Sequence, residues 1–449
     1  MANLFFGHLR LTPPKILSLG FILLIAAGTL LLSLPTASST GARISFIDAL
    51  FMATSATCVT GLAVIDTGTQ LSTFGQIVLL VLFQFGGLGF VTMATLITLV
   101  LNKRISLKER LLMQESMNQN SMQGIVKLIR RVLIYSLVIQ LTGALLLAAR
   151  FLADMPAGKA IYYGLFHSIS IFNNAGFDLF GDVHGPFSGL TRYVEDPVVN
   201  ITSMLLIFLG GIGFIVLSDV IDYPKRKRLT LHSKVVLATS AALILIGAAV
   251  FFWLELNSTL KPLHAGGKIM ASFLQAITPR SGGVTTIEIP LLRESTQFLM
   301  ILLMFIGAAP GSTGGGIKIT TFAILVSTVY AKLRGKEDIV MFRHRISKEN
   351  VYRAITMTLL SLMLVVISTM LLSVTERADF LSVLFEAVSA FGTSGITMGL
   401  TTELTTIGKV LVIILMFVGR TGPLTLAYAL KPKNSKELYR YPEGNITIG

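Results

Sequence analysis

The sequence predicts an all-α polytopic membrane protein: four helix–pore loop–helix repeats, eight transmembrane helices in all, around a pseudo-fourfold pore. Three observations predict it. Of 449 residues, 53% are hydrophobic and 13% charged, with a mean hydropathy of +0.75. Several apolar runs exceed the roughly 20 residues a helix needs to cross a bilayer core. A phenylalanine also precedes a glycine by ten positions four times, as Phe51 and Gly61, Phe166 and Gly176, Phe273 and Gly283, and Phe385 and Gly395. Each pair sits between two long apolar runs. One such pair means little in a chain with 40 glycines; four in register indicate an internal repeat.

Residues 1–14 form a short basic N-terminus. Repeat one, 15–101, begins with a span at 15–35 closed by Pro35; no cleavage pattern follows it, so it reads as a retained helix. Residues 46–56 are apolar but too short to cross, and the stretch to Gly61 is a poor helix. This combination predicts a re-entrant half-helix with an extended return, tolerated at membrane depth only where protein buries it or it lines water. A second span covers 74–101. Repeat two, 126–221, has span 126–152, half-helix 162–172, return 173–177 and span 198–221. Repeat three, 233–330, has span 233–256, half-helix 269–279, return 280–284 and span 296–330. Repeat four, 352–430, has span 352–374, half-helix 381–391, return 392–396 and span 407–430, before a tail at 431–449.

The 37 Lys and Arg against 23 Asp and Glu give a formal charge of +14. The basic residues cluster in alternate loops, 102–131, 222–234 and 331–353, and in the tail. That is the positive-inside pattern rather than a nucleic-acid footprint. It predicts a multi-pass protein of the cell membrane, surrounded by lipid, with both termini cytoplasmic and half-helices entering from the outer face. Acids follow the glycines, namely Asp66, Asp178, Asp182 and Glu288, with Glu195, Asp196 and Glu403 further on. They are either a cation-concentrating outer ring or ordinary solvated loop acids. The one cysteine, Cys58, excludes an intrachain disulfide and a cysteine-cluster metal site, and reads as a small buried thiol.

What the returns place on the axis is mostly main chain. The candidate ligands are backbone oxygens of Thr57, Cys58, Val59, Thr60 and Gly61; Asn173, Asn174, Ala175 and Gly176; Arg280, Ser281, Gly282 and Gly283; and Gly392, Thr393, Ser394 and Gly395. A half-helix points its partially negative C-terminal end at the membrane centre, and stacked carbonyl rings replace the water around a cation of potassium size. The Arg280 side chain is expected to point away and anchor its loop. At these residues the chain resembles the Trk/Ktr/HKT superfamily of potassium transporters over residues 15–430, with one filter glycine in each of four unequal repeats. Without an additional helix pair before the first repeat, it is most similar to the membrane subunits of bacterial Ktr systems. The resemblance implies that Gly61, Gly176, Gly283 and Gly395 are filter glycines, that K+ is transported, and that Na+ dependence occurs in the family. It also implies a homodimer resting on a cytosolic ring of regulatory subunits that bind ATP or ADP and a dinucleotide.

The second spans differ from one another. Repeats one and two carry Gly86-Gly87-Leu88-Gly89-Phe90 and Gly210-Gly211-Ile212-Gly213-Phe214, which read as close-packing glycines. Repeat three runs from Gly307 through Pro310, Gly311, Ser312, Thr313, Gly314, Gly315 and Gly316 to Lys318 and cannot stay helical. It lacks the Gly-Lys-Ser/Thr of a phosphate loop, so no nucleotide is expected on this chain. The resemblance implies an intramembrane gate at 307–318; a packing kink is the alternative. Arg420, inside the fourth second span, is expected to face a cavity and reach the broken segment's carbonyls, or to snorkel to the inner surface. A symporter coupled to H+ or Na+ is the competing class. The intramembrane polar residues Gln84, Gln140, His167, Gln275, Glu386 and Arg420 form no proton relay, nucleophile–base pair or metal cluster in the sequence, so an enzyme is not expected.

Overall fold

The computed structural model describes residues 13–100, 107–116 and 124–423. Most of the expected N-terminus, much of the 102–131 loop, residues 424–430 of the last span and the 431–449 tail lie outside the described residues. The described residues are all-α apart from one antiparallel hairpin, Val340–Met341 against His344–Arg345. Among the described residues, four helices are long and apolar enough to cross a membrane: Pro13–Leu32, Ile125–Phe151, Leu231–Glu255 and Lys348–Thr375. They keep large side chains facing outward, with Leu145 72%, Trp253 76% and Val374 86% exposed, as lipid-facing helices do.

Each long helix is followed by a half-helix, Phe46–Cys58, Ala157–Phe172, Ala265–Ile277 or Phe380–Gly392. At 13 to 16 residues these reach about 20–24 Å, short of the hydrocarbon thickness. Two have side-chain caps: the Ser45 hydroxyl accepts the Asp48 N–H, and Asp379 accepts the Ser382 N–H. The second helix of each repeat packs on the half-helix of the next, one on two, two on three, three on four and four back on one. Lys409 closes that last interface with a 2.6 Å ion pair to Asp48. Phe51, Phe166 and Phe385 are fully buried at these junctions, Phe83 meeting Phe166 edge-on at 5.6 Å. Phe273 is only partly buried.

The second spans need a correction. Only the third was expected to break, yet each described second helix is interrupted. Thr73–Leu88 stops at Gly89 before Phe90–Val100, and Glu294–Ile306 and Ile319–Leu333 flank the 307–318 loop. Pro197–Gly211 and Phe214–Arg226 are bent by 102°, and Thr406–Thr421 stops at Gly422. The restart residue has one conformation in all four repeats, with φ/ψ of 86/139° at Gly89, 89/136° at Gly213, 78/137° at Lys318 and 85/131° at Gly422. Left-handed φ with extended ψ is glycine territory, so the glycines that read as packing residues also turn the chain.

Packing is the other half of their role. A methyl on Gly86, Gly210 or Gly419 would sit 2.0 Å from the carbonyl oxygen of Thr57, Phe172 or Phe391 respectively. In repeats one, two and four the half-helix thus rests the carbonyl four residues before its marker glycine directly on a second helix. We expect Gly210→Ala and Gly419→Ala each to cost about 1–3 kcal/mol, as overpacking does, seen as a lower thermal midpoint in detergent. Gly158→Ala, with open space around it, should leave the midpoint unchanged; equal midpoints for all three variants would contradict this packing.

Candidate functional site

The four marker glycines meet. A methyl on Gly61 would lie 3.1 Å from Gly176 Cα and 3.2 Å from Gly395 Cα; one on Gly176, 2.8 Å from Gly283 Cα; one on Gly283, 3.2 Å from the Ser394 oxygen; and one on Gly395, 2.1 Å from the Thr60 oxygen. The ring is closed by main chain alone. Its glycines all have left-handed φ, from 71° to 95°, so a Cβ is excluded by conformation as well as by space.

Two residues before each glycine stands another left-handed residue: Val59, Asn174, Ser281 and Thr393. The residue between, Thr60, Ala175, Gly282 or Ser394, is not left-handed. Its N–H turns back to the half-helix, from Thr60 to Ser55 O and from Ala175 to Ser170 O at 2.8 Å, and from Ser394 to Ser389 O at 2.9 Å. In repeat three the bond runs from Gly282 to Thr278 O at 2.6 Å. Pro279 has no N–H to extend that half-helix, which ends at Ile277. These middle amides are therefore used, and the carbonyls are left. None of the carbonyl oxygens of 59–61, 174–176, 281–283 and 393–395 accepts a hydrogen bond from another described residue. Buried carbonyls otherwise find partners. The hydroxyls of Thr60, Thr393 and Ser394 and both amide atoms of Asn174 are also buried without one.

The remaining candidates surround this ring. Thr57 and Cys58 lie in the last turn of their half-helix, with the Thr57 carbonyl against Gly86 and Cys58 fully buried. Asn173 caps its half-helix and donates to Gln84 Oε1 at 2.6 Å, and Gly392 is the last residue of its half-helix. Arg280 turns away from the ring, its guanidinium 3.2 Å from Ser240 Oγ on the long helix of repeat three.

Beneath the ring lies the 307–318 loop. Thr313 N–H donates to Gly210 O at 3.2 Å, Ala309 N–H to Gly211 O at 3.0 Å, and Phe214 N–H to Gly311 O at 2.9 Å, which ties the loop to the break in repeat two. Ser312 Oγ donates to Ala309 O at 2.6 Å, and Lys318 Nζ donates to Gly314 O. The Arg420 guanidinium donates to the carbonyls of Thr313, Gly86 and Gly87, joining the loop to repeat one. Ser281 Oγ accepts the Gly315 N–H at 3.2 Å and donates to Gly392 O at 2.9 Å, coupling the loop to the ring.

Sequence reasoning missed the Ser281 link and the carbonyls of Gly86, Gly87, Gly210 and Gly211. A signal for them exists in the register 86–89, 210–213, 315–318 and 419–422. It places Arg420 where the other repeats have glycine, and Lys318 where the others have Gly89, Gly213 and Gly422. The acids beyond the glycines divide. Asp66 accepts the Thr69 and Phe187 N–H groups, Asp178 the Phe180 N–H, and Asp182 pairs with Lys159 at 2.6 Å. Asp196 pairs with Arg150, and Glu195 with His264; hydrogen bonds from the His264 backbone and ring hold the Glu195 carboxyl below its usual range. Glu288 and Glu403 are exposed. Loop closure, rather than an outer ring of free acids, accounts for most of them.

A family profile described as TrkH, cation transport protein, matches residues 15–438. The chain belongs to the TrkH family. It is 45% identical to the Ktr system potassium uptake protein B of Bacillus subtilis over 98% of this chain and 97% of that protein. It is 39% identical to the potassium/sodium uptake protein NtpJ of Enterococcus hirae over 98% of each. Its fold is similar to the crystal structure of the potassium transporter TrkH from Vibrio parahaemolyticus, with a TM-score of 0.74 at 20% identity, covering 96% of this chain and 88% of that one. The TrkH family is one of transport rather than catalysis.

The Ser281 link carries a prediction. Ser281→Ala should speed amide hydrogen exchange across 311–316 by about tenfold, since local opening follows the loss of buried hydrogen bonds. Unchanged exchange there would show that the ring and the loop are not coupled through this hydroxyl.

Proposed function

We propose that this protein takes up potassium through a filter of main-chain oxygens at the glycine ring, with an intramembrane loop beneath the filter acting as its gate. The observation that carries the reading is the set of carbonyls at 59–61, 174–176, 281–283 and 393–395 with no hydrogen-bond donor among the described residues. Left-handed residues alternating with ordinary ones turn successive peptide planes the same way. Carbonyl oxygens then share one side, and stacked rings of them replace a monovalent cation's hydration shell. Potassium as cargo is supported by the names of the Ktr and NtpJ relatives, and NtpJ's name adds sodium as a second cation to be tested. The half-helices enter from the outer face and both termini are cytoplasmic, on the charge distribution. The name Ktr system implies a second component. Our reading is a homodimer controlled by a cytosolic nucleotide-binding ring.

Gating rests on two cations, one of them in a strained backbone conformation. Arg420 places a full charge beneath the ring and ties the loop to repeat one, so it opposes cation passage while the loop is in place. Lys318 adopts a conformation that suits glycine, at a cost of about 1–3 kcal/mol, and so biases the loop toward leaving its closed position.

Three outcomes test this. Gly283→Ser and Gly395→Ser should each lower K+ over Na+ selectivity of 86Rb uptake into proteoliposomes by about tenfold or abolish uptake; unchanged selectivity in both rejects the filter. Arg420→Ala should raise flux several-fold, and wild-type flux removes Arg420 from the gate. Lys318→Ala keeps the strain and loses the ammonium contact, so it should leak, whereas Lys318→Gly also relieves the strain and should leak less. Equal flux in the two variants rejects the strained hinge.

A further inference from the structure

We propose that Glu386 is a positioning residue for ion binding: its buried carboxylate clamps the fourth return segment and supplies negative field at the outer entrance of the ring. The proposal rests on the potassium-filter reading above. One position follows each marker phenylalanine, nine residues before the ring glycine, and it holds Met52, His167, Leu274 and Glu386. In repeats two and four, which stand opposite one another in the ring, this side chain is polar and fully buried.

The two do related work. His167 Nδ1 lies 2.7 Å from the Tyr163 carbonyl, and Nε2 accepts the Leu179 N–H at 3.2 Å. A carbonyl on one side and an N–H on the other put the single proton on Nδ1, so the ring is neutral. It ties the half-helix to the chain three residues beyond Gly176. Glu386 makes the same tie in repeat four with a carboxylate. Its Oε2 accepts from the Thr397 hydroxyl at 2.7 Å and its Oε1 from the Thr401 hydroxyl at 2.5 Å. Thr397 Oγ1 itself accepts the Gly399 N–H at 3.0 Å, which directs the hydroxyl hydrogen to the carboxylate.

No described Lys, Arg or His pairs with Glu386. Two hydroxyls give a buried carboxylate no counter-charge, so its charged form needs a cation nearby, and in low-dielectric surroundings the attraction between the two is weakly screened. Thr397 lies two residues beyond Gly395, so the positive charge this arrangement draws is the cation that reaches the ring. Most of the loop acids that could do the same are engaged in caps and ion pairs.

The test uses the purified full-length chain, with K+ and Na+ binding measured by titration calorimetry and 86Rb uptake measured in liposomes. Glu386→Gln keeps the shape and removes the charge. K+ binding should weaken about tenfold, and the half-saturation of uptake should rise by the same factor with its maximum retained. Thr397→Val keeps the charge and removes half of the clamp, so K+ affinity should stay within about threefold while the K+/Na+ affinity ratio falls. Wild-type K+ affinity in Glu386→Gln overturns the field, and an unchanged ratio in Thr397→Val overturns the positioning. Absence of K+ binding by the wild-type chain would instead overturn the filter reading itself.

Discussion

The structure depends on main chain touching main chain where no side chain fits. At the centre, four glycines from four quarters of the sequence approach within van der Waals range, and a single Cβ at Gly395 would lie 2.1 Å from a neighbouring carbonyl. One layer below, Gly86, Gly210 and Gly419 let half-helix carbonyls rest on second helices at the same closeness. Amides turned back to the half-helices hold the returns, and the cyclic packing of each second helix on the next half-helix holds the half-helices. The carbonyls are what this arrangement leaves over.

The four quarters are alike in backbone and unlike in charge. All share the left-handed residue two before the ring glycine and the same turn where the second helix restarts. Repeat three departs through Pro279, with its half-helix ending at Ile277, further from the ring glycine than in the other repeats, and through the 307–318 loop, which occupies the space beneath the ring. The exceptional charges fall in the last two repeats, Lys318 and Arg420 below the ring and Glu386 above it. In our proposal, cations beneath and an acid above give the axis a polarity that a strict fourfold assembly lacks. On our reading, that polarity favours entry at the top and a closed gate at the bottom.

Much of the fold was legible because membrane spans are long apolar runs and the phenylalanine–glycine interval repeats without gaps. The half-helices were legible by length, since 13 apolar residues are too few to cross. What could not be read was set by contacts between distant segments. The breaks at Gly89, Gly213 and Gly422 look like packing glycines in sequence, because a turn and a close approach both call for glycine. Lys318 hides the same turn, since lysine carries no signal for left-handed φ. Arg420 was legible as an intramembrane charge, but its carbonyl partners on Gly86 and Gly87 lie more than 330 residues away. Ser281, whose hydroxyl joins the ring to the loop, looks in sequence like any small return residue. The loop acids read as an outer ring only while their partners were unknown.

The central claim is that the ring carbonyls, and not an acidic side chain, take a cation's hydration. Anomalous diffraction from crystals of the protein grown in Rb+ tests it most directly. The account predicts a peak on the axis between the 59–61, 174–176, 281–283 and 393–395 segments, within coordination distance of their main-chain oxygens. A ring region without anomalous signal, with Rb+ instead on carboxylates of the outer loops, would contradict it.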